Sequence, residues 1–282
     1  SGQINRVYEI DGRFILKVKG ERVGGLDLFN WQGDILNQIH ELGGKVPAVL
    51  GHDNIGDQEY LLMEKVPGKI LSHDWLNLSE AQRESLTHQL AEQLKIFHSV
   101  KSDHYAVPIV TGKPYTSFRA AVADITDFSD IDRSKLSAEY LTDLEYLENF
   151  FQDKISLLEE EGTAVPVHHD VNLENILWEN GEITGIIDVD WMCYAPADYE
   201  LKRIIHYART PKYGVEEGLE AKFEGHQMTQ EVKWLKQYYP ELFAANNLAD
   251  RIRLYLVYEL LRNIRGYTSG EWSENVIKEC HQ

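Results

Sequence analysis

The sequence predicts an α+β protein in two parts, a small strand-rich segment with one helix over residues 1–66 and a larger, mostly helical portion over 67–282. Three observations carry this reading. Apolar and polar residues alternate near the N-terminus, helix-period and capping signals dominate after Ser79, and one hairpin pattern interrupts the helices around Asn180.

Ile4 to Ile10 alternates, Asp11-Gly12 supplies a two-residue turn, and Arg13 to Val18 resumes as a second strand. Leu26 to Leu42 has apolar residues at helical spacing and stops at Gly43-Gly44, where a left-handed residue ends a helix without steric cost. Tyr60-Leu61-Leu62-Met63 reads as a strand leading into Val66-Pro67-Gly68, and the boundary between the two parts falls near 65–72. Ser79-Glu80-Ala81-Gln82 is a capping box opening a helix that reaches about Val100. A second long helix is predicted from Ser137 to Glu161, with Leu141, Leu144, Leu147, Phe151, Ile155 and Leu158 on one face and Gly162 as its stop. Asn175 to Trp178, the turn Asn180-Gly181, and Ile183 to Ile187 form one β insertion, and everything after Pro196 reads as helical.

At 282 residues, with 43% hydrophobic and 26% charged, the chain has the composition of a folded protein with a sizeable core. Its 46 acidic and 28 basic residues leave a net charge of −18, which argues against nucleic acid and anionic membrane surfaces as partners and suits a cationic one. Cys193 and Cys280 offer no zinc or disulfide framework, and no apolar run is long enough to span a bilayer, so a cytoplasmic enzyme is expected.

The chemistry concentrates at His168-His169-Asp170-Val171-Asn172-Leu173-Glu174-Asn175, followed across the hairpin by Gly185-Ile186-Ile187-Asp188. An aspartate and an asparagine in such a loop are common turn residues, but the second acidic motif at a strand end argues for function. The pair resembles the catalytic loop H-R-D-x-x-x-x-N and the metal-binding aspartate of D-F-G, in the version found in aminoglycoside phosphotransferases and choline kinases, small-molecule kinases of the protein-kinase-like bilobal fold. The resemblance implies Asp170 as the catalytic base, Asn175 and Asp188 as ligands of Mg2+, and His168 as a structural brace. Asp198 is expected to brace the catalytic loop, with Glu200 as the alternative. Asp190 stands where protein kinases have the phenylalanine-glycine pair and reads either as a metal helper or as a solvated carboxylate. His169 carries little information.

In the N-terminal part, Phe14-Ile15-Leu16-Lys17-Val18 resembles the strand whose lysine grips the ATP phosphates, and Ser1 to Asn5 resembles the phosphate-covering loop, making Gly2 and Asn5 nucleotide contacts. The chain as given begins inside that loop. The helix position that carries a lysine-pairing glutamate in the family falls on Gln32. Tyr60 to Gly68 matches the hinge, whose backbone at Glu64 and Val66 would meet the adenine edge. The implied reaction is transfer of the ATP γ-phosphate to a hydroxyl of a small molecule, an aminoglycoside-type antibiotic being favoured by the acidic balance. Choline, homoserine, methylthioribose or sugar acceptors, or a non-catalytic nucleotide-binding pseudokinase, are the alternatives. The sequence specifies no oligomeric state.

Overall fold

The structure, a computed structural model, describes residues 5–20, 28–56, 58–106, 114–125, 133–135, 138–159 and 162–266. Strands β1 (Arg6–Ile10) and β2 (Phe14–Val18) form the expected hairpin. Asp11 and Gly12 both adopt positive φ, at 53° and 67°, and Arg13 joins the turn by donating to the Ile10 carbonyl at 3.1 Å. Helix α1 (Leu28–Glu41) follows; the Leu26 start lies outside the described residues. Gly44 N–H donates to Ile39 and Gly43 N–H to His40, both at 2.9 Å, closing the helix as a Schellman motif around Gly43 at φ 87°. Phe29, Ile35, Leu36 and Ile39 line its buried face.

Strands β3 (Val49–Ile55) and β4 (Gln58–Glu64) complete an antiparallel sheet in the order β1-β2-β4-β3, with α1 packed on β3 and β4. The helix comes so close to β3 that a Cβ on Gly33 would lie 2.3 Å from the His52 ring. Strand β3 was not expected. It carries Gly51, Asp53 and Asn54, residue types depleted in strands, and pairs with β4 across a bulge between Val49 and Gly51.

Helix α2 (Glu80–Ser99) has the expected capping box, with Gln82 N–H on the Ser79 hydroxyl. Helices α3 (Phe118–Ile125) and α4 (Ala138–Lys154) come next, and a 3₁₀ turn over Ile155–Leu158 replaces the end of the long helix expected to reach Glu161. Leu144, Leu147, Phe151 and Leu158 are buried as the stripe predicts. After α5 (Glu200–Arg209), α6 (Glu220–Phe223), α7 (Thr229–Tyr238) and α8 (Leu248–Gly266), the described part ends.

The expectation of a single β insertion needs correction. Besides its two strands Ile176–Glu179 and Glu182–Ile186, joined by Asn180 and Gly181 at positive φ, the short strands Lys69–Ile70, Tyr105–Ala106, Pro114–Tyr115, Val165–Val167 and Cys193–Ala195 build two further sheets. Two or three residues are too few to show a period, so tertiary pairing alone creates them. In chain order these strands are β5 (Lys69–Ile70), β6 (Tyr105–Ala106), β7 (Pro114–Tyr115), β8 (Val165–Val167), β9 (Ile176–Glu179), β10 (Glu182–Ile186) and β11 (Cys193–Ala195).

The first sheet meets the helical portion along β10. Thr184 Oγ1 donates to the Pro67 carbonyl at 2.6 Å and Ile186 N–H to the Lys45 carbonyl at 2.7 Å. Gly68 at φ 114° and Gly185 leave no room for a Cβ there, which would fall 2.5 Å from Thr184 Oγ1 and 2.6 Å from Val66 Cγ1 respectively. Among the described residues no helix is long and apolar enough to cross a membrane.

Candidate active site

The loop after β8 and the turn after β10 are bound to one another backbone to backbone. Ile187 N–H donates to the Asn175 carbonyl at 2.9 Å, and the fully buried His168 ring reaches the Ile187 carbonyl through Nε2 at 2.9 Å. Its Nδ1 accepts the Asp170 N–H at 3.3 Å, so Nε2 carries the proton. His168 therefore spans both motifs, in keeping with a bracing role. Within the loop, Asn172 Oδ1 accepts the N–H groups of Glu174 and Asn175 at 3.0 and 3.1 Å, an Asx turn that shapes the approach to Asn175.

Asp170 is half-buried, and both of its carboxylate oxygens are engaged. Asn175 Nδ2 donates to Oδ2 at 3.0 Å and to the Asp170 carbonyl at 2.9 Å, while the Tyr207 hydroxyl donates to Oδ1 at 2.5 Å. Tyr207 has no signal in the sequence: it lies on α5, far from the loop in the chain and in no motif. Burial and the neighbouring carboxylate of Asp170 push its phenol far above the usual tyrosine range. Next to Asp170, burial and the carboxylates of Asp170, Asp188, Glu216 and Glu220 push Glu174 up to about 7.

The brace on the loop is Glu200, not Asp198. Fully buried, Glu200 accepts the His168 N–H at 2.8 Å and the His169 N–H at 2.9 Å. Asp198 instead receives Arg251 Nε at 2.7 Å, Arg251 Nη2 at 3.0 Å and the Tyr255 hydroxyl at 3.0 Å, tying α8 to the start of α5. The reason is reach: Glu200 opens α5, where its longer side chain meets the loop. His169 also carries more than the sequence suggested. It is buried at φ 65°, stacks on Tyr199 and faces Lys202 Nζ at 2.7 Å.

Lys17 lies across the cleft in β2, 6% exposed, with its ammonium 2.9 Å from Asp188 and 2.7 Å from Asp190. Burial disfavours its charge, but Asp190 and Asp188 outweigh that and raise its pKa. Burial also works to raise Asp188, and there the attraction of Lys17 prevails and lowers it. For Asp190, burial together with repulsion from Asp188 prevails over Lys17 and raises it. The Asp188 side chain is 48% exposed and that of Asp190 only 9%. Asp190 is therefore no solvated carboxylate.

Gln32 does not pair with Lys17. Its Nε2 donates to the Val189 carbonyl at 3.1 Å, and Lys17 turns to the acidic pair, where full charges offer more than a neutral amide. Asn5 donates to Asp190 Oδ2 at 2.9 Å and accepts the Gly20 N–H at 3.1 Å, which makes it a brace of the same corner. Glu64 ends β4 and Val66 packs on Gly185 in the connection toward β5, beside the strand that leads to Asp188. Gly2 lies outside the described residues.

Residues 1–238 match the phosphotransferase enzyme family, designated APH. No curated protein matches the chain in sequence. Among solved structures the fold is similar to aminoglycoside phosphotransferase APH(4)-Ia, at 17% identity and TM-score 0.66 over 99% of this chain and 90% of that one. It is also similar to APH(2")-IIa, solved as a ternary complex with streptomycin and ATP, at 16% identity and TM-score 0.68 over 100% and 89%. ADP-bound APH(2'')-Ib matches at 17% identity and TM-score 0.64 over 100% and 90%. The chain belongs to the phosphotransferase enzyme family, small-molecule kinases built on the protein-kinase-like fold.

Proposed function

We propose that this enzyme transfers the γ-phosphate of ATP to a hydroxyl of a cationic small molecule, an aminoglycoside-type antibiotic before any other. One observation carries the reading: Asp170, Asn175 and Asp188 are joined through Asn175 Nδ2 and the Ile187–Asn175 hydrogen bond into one polar unit facing Lys17. Asp170 accepts the proton of the acceptor hydroxyl and orients its oxygen for in-line attack. Residues 1–66, with Lys17 and the hinge at Glu64 and Val66, hold the nucleotide, and residues 67–282 supply the catalytic loop and the acceptor pocket.

The donors fit Mg2+. Asn175 commits its Nδ2 to Asp170 and keeps Oδ1 as an oxygen donor, while the Asp188 carboxylate is half-exposed. Magnesium needs only one or two protein oxygens, so the lack of a three-residue His, Cys, Asp or Glu cluster among the described residues is no obstacle. When bound, the ion neutralises phosphate charge. Lys17 contributes a second positive charge beside it, released from the acidic pair toward the phosphates.

Support for the acceptor comes from the net charge of −18 and from the solved relatives, which include complexes of APH(4)-Ia with AMP-PNP and hygromycin B and of APH(2")-IIa with gentamicin. A cytoplasmic setting suits a chain with only two cysteines, Cys193 and Cys280, far apart in the sequence. The deciding experiment is a coupled ADP-release assay with gentamicin, streptomycin, hygromycin B, choline, homoserine, methylthioribose and simple sugars. Magnesium-dependent ADP release stimulated by an aminoglycoside is expected. Stimulation by another acceptor alone moves the substrate class, and ATP binding without turnover on the whole panel favours the pseudokinase.

A further inference from the structure

Tyr207 reaches Asp170 from helix α5 through buried surroundings. Tyr207 is 8% exposed and forms one wall of an apolar cavity with Leu71, Trp75, Val171, Leu173 and Ile204, so the phenol arrives through the core. Its hydroxyl holds Oδ1 at 2.5 Å while Asn175 Nδ2 holds Oδ2 at 3.0 Å. Two donors on two oxygens fix the plane of a carboxylate. The ring itself is wedged: a Cβ on Gly214 would fall 2.9 Å from Tyr207 Cδ1 and 2.9 Å from Asn172 Cβ. The backbone at Gly214, with φ −121°, suits any residue, so this glycine is demanded by the ring and by Asn172, and not by its own conformation.

We infer that Tyr207 is a positioning residue for the catalytic base, held in place by Gly214 and acting through Asp170. The inference rests on the role proposed above for Asp170. A rotation of the carboxylate moves the acceptor oxygen off the line of attack, a misplacement that lowers turnover without changing nucleotide affinity.

The test uses Tyr207→Phe, Gly214→Ala and the double variant, with ADP release from Mg-ATP read on the best acceptor of the panel and with water as acceptor. Tyr207→Phe keeps the ring and loses the donor. It is expected to lower kcat roughly ten- to a hundredfold, leaving KM for ATP and the thermal midpoint unchanged. Gly214→Ala is expected to lower kcat as well, and the double variant to be no slower than the slower single one, because both act through the same hydrogen bond. Wild-type kcat in Tyr207→Phe, or additive losses in the double variant, overturns the proposal.

A readout independent of activity is the 13Cζ resonance of Tyr207, assigned by its absence in Tyr207→Phe. It moves in Asp170→Asn if the contact exists, and an unmoved resonance also overturns the proposal. An inactive Asp170→Asn beside a fully active Tyr207→Phe sinks only the role of Tyr207. An active Asp170→Asn sinks the assignment of the base itself.

Discussion

The catalytic loop and the corner around Lys17 are both polar and largely buried, yet they are held in opposite ways. In the loop, fixed side chains bind backbone groups: Glu200 takes two N–H groups, Asn172 two more, and His168 links the loop to the turn before Asp188. At the corner, two carboxylates share one ammonium, with Asn5 assisting Asp190. The loop is built once, at folding. The corner is a charge balance that an arriving anion and cation re-partition, since any phosphate that draws Lys17 away leaves the acidic pair requiring another positive charge.

Changes at the two regions test that contrast. The largest effect is expected from Asp170→Asn, which removes the proposed base while keeping a hydrogen-bonding side chain; kcat in the ADP-release assay falls by about 10²–10⁴, with an unfolding midpoint near that of wild type. A comparable activity in this variant breaks the comparison at its first member.

Lys17→Met follows. It strands the buried Asp190 beside Asp188, destabilising the resting protein by about 3 kcal/mol in urea unfolding and raising KM for ATP. Adding Asp190→Asn restores stability without restoring activity, if the corner is a charge balance. No recovery means that the cost of losing Lys17 is packing.

Glu200→Gln places an amide against the N–H of His168 or His169 and is expected to cost about 2 kcal/mol, with a drop in kcat that Asp198→Asn does not produce. Equal loss of kcat in both variants erases the distinction drawn between them.

The smallest effect concerns His206. Burial, with the charges of Arg203, Lys202 and Arg209, lowers its pKa, so the fold prefers the neutral ring. The unfolded chain then binds more protons just below pH 6.5, and stability is lost as the pH falls through that range. His206→Gln is expected to flatten this limb of a stability–pH curve while leaving stability above pH 7 nearly unchanged. An identical slope in the variant removes His206 from the account.

How much was legible follows the same division. The Asp11-Gly12 and Asn180-Gly181 turns, the Ser79–Gln82 capping box and the Gly43-Gly44 stop are local devices whose physics is complete within a few residues. The loop motif was legible for the same reason, its spacing setting Asp170 and Asn175 on one turn. Strand β3 was hidden because turn-forming residues became a strand only beside β4. Gln32 was misread because sequence position cannot tell an amide aimed at Lys17 from one aimed at the Val189 carbonyl.

The sequence by itself therefore determined the turns, the caps of the first helices, the order of strand-rich and helical parts, and the loop and strand-end motifs that carry Asp170, Asn175 and Asp188. The tertiary structure alone decided which acid braces the loop, where the Lys17 charge goes, and that Tyr207 closes on Asp170 from the core side. Local backbone preferences are written over four or five residues. Partners of buried charges are chosen by distance in the fold, where each such group takes the strongest partner within reach.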